Sequence, residues 1–199
     1  ACIIDFRSPY TANHSAGVAR TAEKLAQLSG FSEEESKCML IAGYLHDLGK
    51  MAVKKAVLEK PSKLTKNEFN SIRCHTYYTY DLLDPIKEFE TIKQWAAFHH
   101  EKLNGTGYPF HIDARNLSLG SRIMAAADVF TAITEDRPYR KGMTKDAVIE
   151  VFNNMVESEA LCPHVVSILI ENFELLNNTR KQAQKKALIE FNEFQSLTT

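Results

Sequence analysis

Residues 40–50 read LIAGYLHDLGK. Met39, Leu40, Ala42 and Leu45 recur at helical spacing up to about His46, and Gly49 breaks the pattern. An apolar helix thus ends on an adjacent histidine and aspartate, His46 and Asp47. An ionised Asp in such surroundings is costly unless it is paired or bound to metal. Upstream, Ser32 suits a helix cap, and Glu33, Glu34 and Glu35 favour the positive end of the helix dipole.

The rest of the chain repeats the helical pattern. Val18, Ala22, Leu25 and Ala26 mark a helix from about Thr11 to Ser29, stopped by Gly30. Residues Met51 to Leu64 read as a loop with a short helix. Thr65-Lys66-Asn67-Glu68 is a capping box. It predicts one long helix closed by Pro85, with Phe69, Ile72 and Leu82 on one face. Further helices are expected over about Glu90–His100, Leu119–Thr134, Lys145–Glu157 and Pro163–Leu176. The string NGTGYPF, residues 104–110, is a loop. Lys181 to Phe194 reads as an amphipathic tail helix, with Leu188 and Phe191 opposite a Lys-rich face. These elements make an all-α domain of about seven to eight helices over residues 1–178. The tail at 179–199 packs on that domain or on a second subunit.

Composition excludes several classes. The 199 residues carry 24 Lys+Arg against 25 Asp+Glu, so a general binder of nucleic acid polymers is not expected. No apolar run approaches the roughly 18 residues of a membrane span. Cys2, Cys38, Cys74 and Cys162 are widely spaced, as reduced thiols in a cytoplasmic protein would be. The chain starts without Met and is expected to be the output piece of a longer signalling protein with an upstream sensory or receiver domain.

The histidines and aspartates share one direction. His14 lies four residues before Val18, on the buried face of its helix. His75 follows Ile72 by one turn, His99 continues the Ile92–Trp95–Ala96 stripe beside His100, and Asp128 follows Met124 by one turn. Each alone reads as a satisfied core residue. Together they read better as one cation site. Nitrogen and oxygen ligands suit Fe, Mn, Ni or Zn rather than Ca. Seven ligands exceed what one ion with an open position can use, so two metals sharing a carboxylate are expected.

These strings resemble a known family. HDLGK at 46–50 resembles the defining motif of the HD phosphohydrolase superfamily, and HHEKLNGTGYP at 99–109 resembles the signature of its HD-GYP subfamily. KPSKLTKNEF followed by His75, and DVFTAITEDRPYR at 128–140, fall in the family's order. The resemblance implies an HD-domain helical bundle with a binuclear metal site in its core. Asp47 would bridge the metals; His14, His46 and Asp128 would complete one, and His75, His99 and His100 the other. Tyr10 stands where some members carry a third-metal Glu. Asp47 and Lys50 are the implied catalytic residues. Lys50, Arg137 and Arg140 would hold substrate phosphate, and Tyr108 would lie near the substrate.

The implied reaction is hydrolysis of cyclic di-GMP to pGpG or GMP. Two divalent ions, Fe first with Mn, Ni or Zn as alternatives, would activate a bridging water and offset phosphoryl charge. The competing readings are hydrolysis of another nucleotide or cyclic dinucleotide, and a slow cyclic-dinucleotide sensor. Lys50 has a plainer reading as a helix-end cation, and the arginines as surface ion-pair partners. Gly105 and Gly107 would let backbone approach a ligand. Glu101 is either a partner of a ligand histidine or a solvated helix-end charge. His111 and His164 read as surface residues. The sequence departs from the family pattern at Asn104, at Val53-Lys54 and at Leu161-Cys162-Pro163.

Overall fold

The computed structural model describes residues 9–198 except 59, 61, 138 and 139; Cys2 and the Tyr10 side chain lie outside the described residues. Among the described residues ten α-helices follow one another: α1 Pro9–Leu28, α2 Glu33–Leu45, α3 Lys55–Leu58, α4 Lys66–Arg73, α5 His75–Leu83, α6 Glu90–Ala97, α7 Leu119–Thr134, α8 Lys145–Glu157, α9 Pro163–Glu171 and α10 Phe173–Thr198. Short 3₁₀ turns cover Leu48–Ala52 and Lys87–Phe89. Among the described residues there is no strand, only an isolated bridge between Arg137 and Arg140. No described helix is long and apolar enough to cross a membrane.

Local chemistry starts most of these helices. Ser32 and Glu35 form a reciprocal capping box on α2, and Thr65 and Glu68 form another on α4. Ser118 caps α7 and Thr144 caps α8. The core is built from α1, α2, α6, α7, α8 and α9, with the start of α10. Val18, Leu25, Met39, Ile123, Met124, Phe130, Phe152 and Leu169 are fully buried in it. Helix α7 is the central rod, with apolar residues buried around most of its circumference. Helix α10 lies along α1.

The helix expected over 65–85 is two helices. The chain leaves α4 at Cys74 and α5 begins at His75. Its expected apolar face is also wrong. Phe69 is 51% exposed and Leu82 50% exposed, whereas Leu83 is buried. Even in one continuous helix, 13 residues at 3.6 per turn would place Leu82 about 220° from Phe69. Helix α4 buries nothing, so Phe69 sits on an outer surface. The tail begins earlier than expected, as α10 runs unbroken from Phe173 through residues 179–198. Phe191 is buried, while Leu188 is exposed.

Candidate metal centre

Five chain segments deliver the expected ligands to one place. His14 comes from α1, His46 from the C-cap of α2, His75 from the first position of α5, and Asp128 from the middle of α7. His99 and His100 lie just past α6, which leaves helical geometry at Phe98, short of the expected end. Ligand atoms of His75, His99 and His100 converge, as do those of His14, His46 and Asp128, and those of His46, Asp47 and His99. In each group the atoms lie within 4.8 Å of one another.

Three of the histidines are oriented in one way. The Nδ1 of His46 lies 2.7 Å from the Gly43 carbonyl, that of His75 2.7 Å from Ile72, and that of His99 2.7 Å from Ala96. A carbonyl only accepts, so each Nδ1 carries the proton and each Nε2 presents a lone pair inward. His14 uses a carboxylate instead: its Nδ1 lies 3.2 Å from each Glu135 oxygen. Its Nε2 lies 3.1 Å from Asp128 Oδ1.

Asp47 stands between the two groups. Its Oδ2 lies 3.3 Å from His46 Nε2, and its Oδ1 lies 3.3 Å from His75 Nε2. Lys50 Nζ donates to Oδ2 at 2.5 Å. The turn carrying Asp47 is clamped to α5. Thr79 Oγ1 donates to the His46 carbonyl at 3.0 Å and accepts from Gly49 N at 2.9 Å. A methyl on Gly49 would meet the His75 carbonyl at 1.9 Å, so only glycine permits this approach.

The donor set fits a cation. His46 Nε2 and Asp47 Oδ1 are buried and have no hydrogen-bond partner among the described residues. Unmet buried polar atoms are costly, and a shared cation satisfies both. His75 Nε2 faces His99 Nε2 at 3.2 Å, so two lone pairs oppose each other unless a positive charge lies between them. Burial, then the neighbouring His100, holds His99 far below the usual histidine range. Burial also lowers His75 and takes His100 down to about 4. These three rings are therefore neutral and ready to ligate at neutral pH. Burial alone would raise Asp47, but Lys50 and His46 hold it well below the usual carboxylate range. Asp128 is lowered in the same way by His14 and His100, against its burial. His14 goes the other way. Burial opposes its charge, yet hydrogen bonds to Asp128 and Glu135 raise it to about 9. A divalent ion would take the place of that proton.

The expected substrate residues divide. Lys50 is at the centre, and the Tyr108 ring lies 4.9 Å from that of His100. Arg137 donates to Glu135 through Nε at 3.2 Å and Nη2 at 3.1 Å, one residue away from His14. Arg140 donates to the Ala132 carbonyl at 2.6 Å, so it closes the end of α7 instead. Gly105 takes a positive φ of 71° in its turn. Gly107 packs on the chain's own backbone: a methyl there would lie 2.4 Å from Glu101 Cα. Its missing side chain therefore serves loop packing rather than approach to a ligand.

Glu101 fits neither expected role. It is 2% exposed and accepts from Phe110 N at 2.6 Å and Ile112 N at 3.1 Å, pinning the loop that carries Tyr108. His111 and His164 are exposed, as expected. Cys38, Cys74 and Cys162 are free thiols. Sequence reasoning missed Arg73, whose guanidinium carbon lies 4.3 Å over the Tyr108 ring. It also missed Thr79 and Glu135. Thr79 had a signal, since it falls one turn after His75 on the same face.

The family model described as HD domain matches residues 1–163. The 3'3'-cGAMP-specific phosphodiesterase 3 of Vibrio cholerae is 36% identical over 174 residues, covering 87% of this chain and 38% of that protein. A cyclic di-GMP phosphodiesterase response regulator of Xanthomonas campestris is 36% identical over 148 residues, covering 73% of this chain and 39% of the relative. The chain thus spans under half the length of these curated relatives. A solved cyclic GMP-AMP-specific phosphodiesterase of V. cholerae aligns with TM-score 0.54 at 31% identity, covering 87% of this chain and 39% of that one. A solved Bdellovibrio bacteriovorus protein of the HD-GYP type shares the fold, with TM-score 0.66 at 17% identity over 82% of this chain and 52% of that one.

Proposed function

The chain belongs to the HD domain family, in its HD-GYP branch, and from that premise we propose that it is a metal-dependent phosphodiesterase of cyclic dinucleotides. One observation carries the reading: the two oxygens of Asp47 face one histidine of each ligand group, at 3.3 Å each. That posture suits a carboxylate shared by two ions. His14, His46 and Asp128 would hold one, and His75, His99 and His100 the other. The nitrogen and oxygen donors suit Fe, Mn, Ni or Zn, and the family resemblance puts Fe first. When bound, such a pair supplies Lewis acidity toward phosphoryl oxygens and a nucleophile at neutral pH.

The chain's own residues do the rest. The backbone carbonyls of Gly43, Ile72 and Ala96 hold three imidazoles in the ligating tautomer. Lys50 positions Asp47 and adds positive charge where the phosphodiester would sit. Tyr108, under Arg73, forms a flat wall beside His100 on which a purine base could stack. A phosphate would compete with the Glu135 carboxylate for Arg137 and with the neutral Ala132 carbonyl for Arg140, so Arg140 is the easier of the two to release.

Cyclic di-GMP is the first substrate, with pGpG or GMP as product. A second reading is 3'3'-cGAMP, because relatives covering the largest share of this chain carry that specificity in their names. The response-regulator relative suits an output module beside an input domain. The test is an anaerobic assay of metal-loaded protein against both cyclic dinucleotides, with metal content measured on the same sample. Turnover of one, lost in His46→Ala and Asp47→Ala with the fold retained, supports the proposal. Unchanged turnover in those variants sinks it. Submicromolar binding without turnover in Fe-loaded protein would favour a sensor.

A further inference from the structure

His14 is the one ligand imidazole whose Nδ1 hydrogen-bonds a carboxylate, and that carboxylate does not stand alone. Glu135, 3% exposed, accepts from Gln184 Nε2 at 3.0 Å. Gln184, on α10, in turn accepts at Oε1 from Arg180 Nη1 at 2.5 Å. Arg180 is 4% exposed and also donates to Asn177 Oδ1. The order of groups fixes the amide. An arginine only donates and a carboxylate only accepts, so the amide at 184 satisfies both, oxygen toward Arg180 and nitrogen toward Glu135, as neither a carboxylate nor a cation there could. Helix α1 leaves room for it. A methyl on Gly17, one turn after His14, would meet the Gln184 amide nitrogen at 2.9 Å. A buried polar chain of this kind is costly unless every member is satisfied.

We propose that Glu135 is the positioning residue of His14 and that Gln184, held by Arg180, fixes Glu135, so that α10 sets the ligating geometry at one of the two ions. This rests on the binuclear reading above. Outer partners of a ligating histidine fix its tautomer and orientation, and their loss weakens the metal about 10–100-fold. The ion held by His14, His46 and Asp128 depends on the chain of contacts to α10. On the other ion, His75 and His99 are oriented by nearby backbone carbonyls.

The test measures Mn(II) binding to the full chain under anaerobic conditions, with melting temperature and helical circular dichroism as fold controls. In Glu135→Gln, one of two dissociation constants rises about 10–100-fold and the other stays. Gln184→Met, close in volume and unable to hydrogen-bond, raises the same constant about tenfold. The double variant is no weaker than Glu135→Gln alone, because Gln184 acts through Glu135. A merely structural role would lower both affinities together with the melting temperature. Full additivity, or unchanged binding in Gln184→Met, overturns the proposal. If Gln184→Met fails to fold, ring-nitrogen NMR of His14 in Zn-loaded Glu135→Gln decides the matter: a retained Nδ1–H tautomer with both Zn affinities unchanged overturns it. A parent chain that binds fewer than two Mn ions sinks the binuclear reading and this inference with it.

Discussion

His75 and His99 on one side of the centre, and His14 on the other, are held by different means. The first two are tethered to carbonyls three residues back along the chain, each at a helix end. Their orientation comes with the local turn and needs no contact from a distant segment. His14 is tethered to Glu135, 121 residues away, which is held from α10, 49 residues further on. One side of the site is therefore rigid by local geometry, and the other is assembled by packing. A geometry that rests on how distant helices pack changes when that packing changes, so the assembled side is the one that distant substitutions can loosen.

Asp47→Asn has the largest expected effect, because Asp47 serves both sides. Asn is nearly the same size, so the fold is kept, but the shared charge is gone. Mn(II) affinity at both positions should fall about a hundredfold or more, and turnover with it. Retention of one ion at parental affinity would show that Asp47 belongs to one side only.

Gly49→Ala isolates the local side. The added methyl meets the His75 carbonyl at 1.9 Å, against backbone that cannot swing away. The clamp between the Asp47 turn and α5 must open, at a cost of about 3 kcal/mol. Thermal melting should show the loss, and the ion on His75, His99 and His100 should weaken before the one on His14. Equal weakening of both would mean that the two sides do not move separately.

Acid and base should separate the sides in metal-free protein. Burial lowers His75, His99 and His100 in the folded state, so the unfolded chain binds more protons below about pH 6.5. Stability from that side is therefore lost as pH falls below about 6.5, and for His100 the loss continues to about 4. His100 is partly exposed, so its share is smaller than its shift suggests. His14 has the opposite sign. Its folded value is raised to about 9, so its contribution is complete below about 6.5 and is lost as pH rises through about 9. Melting temperature against pH should fall on both flanks without metal. Glu135→Gln should flatten the alkaline flank and leave the acid one.

The sequence made the ligands of both sides legible and hid what holds His14. His46, His75 and His99 could be read because each extends an apolar stripe of fixed period. His14 and Asp128 could be placed by the same rule, and the all-α class followed from it. Glu135 falls within the DVFTAITEDRPYR string, but nothing in a linear reading joins it to Gln184, since their meeting depends on how α10 lies along α1. Loop chemistry was also misleading. Gly107 resembled an opening for ligand, yet it is filled by the backbone of residues 100–102. The break at Cys74 carries no Gly or Pro to announce it.

The smallest expected effect tests whether the local side extends to the substrate. Arg73 sits two residues before His75 and stacks its guanidinium 4.3 Å over Tyr108, which in turn leans on His100. A cation over a partly exposed ring contributes about 0.5–1 kcal/mol, a factor of about 2–5 in affinity. If the pair is a wall for a purine base, Arg73→Ala should raise KM for the cyclic dinucleotide by about that factor, with kcat and Mn(II) content unchanged. Arg73→Lys keeps the charge but loses the planar stack, so its KM should fall between. Added salt should narrow the difference between parent and Arg73→Ala if charge dominates, and leave it if stacking does. Loss of bound metal in Arg73→Ala would break the reading, because Arg73 would then be a support for His75 and the local side would end at the metals.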